Sequence, residues 1–63
     1  MMRTIDMPPE DFEAVYEALA AALDRAGADK HALYLTKVVL MLAHMSGDRA
    51  AVEAALERCL EDL

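Results

Sequence analysis

At 63 residues and 6.9 kDa the chain has room for one small domain, and a chain of this size buries only about 60% of the surface it exposes when unfolded. Twelve Asp and Glu against six Lys and Arg give a formal charge of -6, which works against nucleic-acid phosphates and anionic membrane surfaces, since both reward clustered basic residues. The single Cys excludes an internal disulfide, and no Cys/His spacing suits a structural metal. Apolar residues make up 57% of the chain, but thirteen of them are Ala, and there is one Phe and no Trp. High apolar content with two Gly and two Pro argues for a folded chain. With so few large core formers, the missing stability has to come from close helix packing or from a partner.

The opening Met1-Met2-Arg3-Thr4-Ile5-Asp6 has one basic residue and no apolar h-region, which predicts no signal peptide and, with one unpaired Cys, a cytoplasmic setting. Ile5 and Met7 are expected to dock on a neighbouring surface. Pro8-Pro9 followed by Glu10 and Asp11 reads as a helix start, because Pro suits the first helical position and acids favour the positive end of the helix dipole. Phe12, Val15, Tyr16, Leu19, Leu23 and Ala26 then recur at helical spacing up to Gly27, a residue type that commonly ends helices. The first helix is expected over about 9–26.

Asp29 reads as the N-cap of a second helix over about 29–45. Leu35, Val38, Val39, Leu42 and Met45 form one apolar face, and Leu33, Leu40 and Ala43 occupy much of another. Lys30, Tyr34, Lys37, Met41 and His44 carry most of the polarity. A helix apolar on more than one side is expected to be buried on more than one side. Ser46-Gly47 closes it, and Asp48 caps a third helix over about 48–62, with Val52, Ala55, Leu56, Cys59, Leu60 and Leu63 as its apolar stripe. Glu53, Glu57 and Glu61 form a like-charge row at i, i+4 spacing that Arg49 and Arg58 partly offset. Both connections are short, so consecutive helices are expected to be antiparallel neighbours. The expected fold is all-α: an up-down-up three-helix bundle in a single domain, with a largely buried central helix.

The chemistry-bearing residues form no catalytic constellation. His31 and His44 lie thirteen residues apart on one helix, about 20 Å along its axis, and so cannot share a metal. His44 sits near a helix end, where a capping or packing role, or a hydrogen bond to Asp48, is the expectation, and no nucleophile or orienting partner accompanies it. Cys59 falls in an apolar stripe beside Glu57, Glu61 and Asp62, which oppose thiolate formation. The reading predicts neither an enzyme nor a cofactor. A small-ligand or metal carrier using His44, Cys59 and nearby carboxylates is the least favoured alternative. Tyr34, Met41 and Met45 beside Leu33 and Leu40 suit an interface, Met because it adapts to irregular surfaces and Tyr because it joins an apolar body to a polar tip. With Lys37 and His44 they make up the expected partner surface: Leu33, Tyr34, Lys37, Leu40, Met41, His44 and Met45. The partner is expected to be either an enzyme subunit or another copy of the chain, the latter giving a homo-oligomer of structural role.

The segment from Thr36 to Asp48, Thr-Lys-Val-Val-Leu-Met-Leu-Ala-His-Met-Ser-Gly-Asp, resembles the central part of a family of short bacterial proteins, the domain of unknown function 2783. Phe12, Tyr16 and Leu19 match its first helix, and Val52, Ala55 and Leu56 its last. The chain departs from the family pattern at His44, Met45 and Ser46, where that pattern reads Asn-His-Ile. The histidine is thereby displaced by one position, about 100° around the helix. The resemblance implies no catalytic residues. It implies an accessory role beside flavin-dependent monooxygenases and other enzymes of aromatic degradation.

Overall fold

The computed structural model describes residues 7–63, and among them it is all-α. Helix α1 runs over Pro9–Ala26, a 3-10 turn over Ala28–Lys30, α2 over His31–Ser46 and α3 over Arg49–Arg58. Ile5 lies outside the described residues, and Met7 is exposed.

Each boundary has a local cause. Pro9 occupies the first position of α1, and the Pro8 carbonyl accepts the N–H groups of Asp11 and Phe12, both at 3.0 Å. At the other end Gly27 takes φ 90° and ψ 147° and donates its N–H to the Leu23 carbonyl at 3.1 Å. The chain then makes its 3-10 turn, and α2 begins one residue later than Asp29 capping requires. Lys30 stands at the N-cap, and no side chain caps the helix. Gly47, with φ 69° and ψ 10°, supplies the left-handed residue that closes α2.

Asp48 caps α3 as expected, its carboxylate accepting the Ala51 N–H at 3.0 Å. Asp48→Ala is therefore expected to cost about 1 kcal/mol, with Asp48→Asn nearly neutral, as read by thermal unfolding monitored by circular dichroism. Helix α3 ends at Arg58, short of the expected 62, and Cys59–Asp62 continue as turn with Asp62 at φ 60°. Two exposed ion pairs, Arg49–Glu53 at 2.9 Å and Arg58–Glu61 at 3.8 Å, relieve the acidic row. Exposed pairs of this kind add little stability.

The helices touch at corners. Helix α1 meets α2 next to Gly27, where Leu19, Ala22, Leu23 and Ala26 are half-buried, as are His31, Tyr34 and Val38 of α2. Helix α3 meets α2 next to Gly47, through half-buried Ala43, Ala51 and Val52. Helices α1 and α3 do not meet. The central helix is consequently not buried in the single chain, and no described residue is. Its two neighbours each cover one end of it, and the Ala residues at the corners cover little area. The radius of gyration is 13.2 Å, against about 10–11 Å for a compact chain of this length. The accessible surface is 6044 Å², about half again the ~4,000 Å² that a compact 6.9 kDa monomer exposes.

Candidate functional site

At 100° per residue, α2 turns His31, Tyr34 and Val38 toward α1 and Ala43 toward α3. The arc between them on one side carries Leu35, Val39 and Leu42, and the arc on the other carries Leu33, Lys37, Leu40 and His44. Met41 and Met45 continue the Tyr34 row past the stretch that α1 covers. Among the residues from His31 to Ser46 there is no acidic side chain.

The expected partner surface is divided over two shallow grooves. Tyr34, Lys37 and Met41 line one of about 280 Å³ with Val38 and Leu42. Leu40 and His44 line another of about 510 Å³, whose rim carries Asp48, Arg49 and Glu53. Leu33 and Met45 stand exposed. Tyr34 belongs partly to the α1 corner, where it is half-buried.

A third groove, of about 420 Å³, runs between α2 and α3 and is lined almost wholly by apolar groups, including Val39, Leu42, Val52, Ala55, Leu56 and Cys59. Their helical period predicts packing within one chain. In the structure Leu42, Leu56 and Leu60 are more than half exposed, and so is the α1 row of Phe12, Val15 and Tyr16. Helical periodicity shows that such a stripe is apolar, but it does not say which chain covers it. Cys59, expected in a buried stripe, is exposed.

His31 has a role its position at a helix start did not announce. Its Nε2–H donates to the Leu23 carbonyl at 2.9 Å, eight residues back. That carbonyl lies in the last turn of α1 and already accepts the Gly27 N–H, so the ring adds a second bond to it. The ring thus ties the end of α1 to the start of α2. Asp48 gives its carboxylate to Ala51 rather than to His44. His44 and Cys59 line different grooves, and among the described residues no three His, Cys, Asp or Glu side chains gather as metal ligands. No helix among the described residues is long and apolar enough to cross a membrane. Comparison of the chain with protein-family models, curated proteins and solved structures finds no match.

Proposed function

We propose that this chain is a small non-catalytic helical interaction module, an accessory subunit that docks on a cytoplasmic enzyme through the Leu33, Tyr34, Lys37, Leu40, Met41, His44 and Met45 side of α2. The observation that carries this reading is exposure. Leu33, Leu40, Met41 and Met45 are 61–71% exposed on a chain with no buried described residue. Met and Tyr supply adaptable contact area there, and Lys37 supplies a positive charge on an otherwise acidic chain. In the setting that the resemblance to the domain of unknown function 2783 implies, the enzyme is a flavin-dependent monooxygenase of aromatic degradation. The fuller fold, an up-down-up arrangement with α2 covered on both sides, then belongs to the assembled protein.

Met41→Asp tests the reading. A tagged wild-type chain expressed in its native host is expected to carry an enzyme subunit in stoichiometric amount, by native mass measurement. The Met41→Asp chain is expected to lose that subunit while keeping its far-ultraviolet helical signal. Equal loss of helicity would place Met41 in the chain's own packing and remove this face from the interface.

A further inference from the structure

The groove between α2 and α3 needs an occupant with an apolar helical face, and the chain displays one. Phe12, Val15, Tyr16 and Leu19 stand at i, i+3, i+4 and i+7 along α1, the spacing by which a helix anchors in an apolar groove. Phe12, Val15 and Tyr16 are 64%, 52% and 68% exposed, because α1 is covered only near Gly27. Within one chain this row cannot fill the groove, since α1 and α3 do not meet.

We infer that the groove is filled by α1 of a second copy, so that two chains exchange their α1 helices about a two-fold axis. Each α2–α3 pair then receives its third helix from the partner. The contact is isologous: Tyr16 of one chain meets Leu56 of the other, and the reverse pair forms by symmetry.

Area and charge both select a second copy. The excess of about 2,000 Å² over a compact monomer is more than the ~800 Å² per partner of a standard interface, and doubled over two chains it falls in the range of obligate homodimers. The net charge of -6 opposes self-association in general, but the acids avoid this contact. Glu10, Glu13 and Glu17 lie on the other side of α1 from the Phe12–Tyr16 row, with Asp11 alone flanking it, Glu53 faces the separate groove with His44, Glu57 lies away from Val52 and Leu56, and α2 has no acidic residue. The exchange leaves the Met41 side of α2 free, so it stands or falls separately from docking on an enzyme.

Light scattering on the full chain between about 10 and 500 µM gives the first test. Twice 6.9 kDa is the expected mass, and a monomer throughout would overturn the inference. Phe12→Cys gives the second, because native Cys59 lines the groove. Mild oxidation is expected to link position 12 to Cys59 between chains, at least tenfold more than a Lys37→Cys control links to Cys59, as read on non-reducing gels with peptide mapping. A link within one chain would show α1 folded back onto its own α3 and overturn the exchange. A dimer that links no better than the control would also overturn it. The Met41→Asp measurement moves in none of these cases.

Discussion

Leu42→Ala is expected to lower the stability of the assembled protein by about 2–5 kcal/mol, the range for losing a buried Leu side chain. In the isolated chain Leu42 is 56% exposed. Less than half of its surface is then covered, and full burial of a Leu is worth only about 1.5–3 kcal/mol, so truncation there costs about 1 kcal/mol. Ala keeps the helix propensity of the position, and the difference therefore reports burial rather than helix formation. Leu42 also lines the apolar groove, where the inferred partner helix would cover it. Denaturant unfolding at high and low protein concentration separates the two cases, because association makes apparent stability depend on concentration. A cost below about 0.5 kcal/mol at high concentration would mean that Leu42 faces solvent in every state.

Why the elements were legible and their packing was not follows from what local sequence encodes. Pro8-Pro9, Gly47 and Asp48 act within a turn of where they stand, and the structure has α1, the close of α2 and the start of α3 at those residues. Asp29 misled because its neighbours adopt a 3-10 turn, which moves the helix start to His31. The end of α3 carried no Gly or Pro, and the apolar period running on through Leu60 and Leu63 extended the expected helix beyond Arg58. Apolar faces were read correctly as faces, but the cover over them depends on the angles at which two glycine corners send the helices apart. Those angles are tertiary, and period alone is silent on them. Tyr and Met content marks the polar side of α2 as an interface, while the more continuous apolar surface, the groove with Leu56, has the same period as a core. The His31–Leu23 bond follows the rule that His side chains near a helix C-terminus bond its last carbonyls, but here the His comes from the next helix, which local sequence does not place.

Gly27→Ala is the most costly corner substitution expected, at about 1–3 kcal/mol. At φ 90° and ψ 147° the residue borders a backbone region that only Gly enters freely, and an added Cβ would stand 3.2 Å from Asp29 Oδ1. Gly47 has φ 69° and ψ 10°, the ordinary left-handed region, and nothing lies within 4 Å of a Cβ built there. Asn tolerates that region, so Gly47→Asn is expected to be nearly neutral and Gly47→Ala to cost about 1 kcal/mol. Gly27→Asn receives no such relief, because Asn favours ψ near +45° rather than the extended value found at this corner. Urea melts of the four variants check the pattern, and equal costs for Gly27→Asn and Gly47→Asn would contradict it. The consequence reaches beyond stability. Gly27 sets the direction in which α1 leaves α2, and His31 holds that direction through its bond to Leu23. A residue that pulls position 27 toward the left-handed region swings α1 and carries Phe12 and Tyr16 away from the line on which a partner's groove receives them. Gly27→Asn is therefore expected to weaken association at concentrations where Gly47→Asn leaves it unchanged.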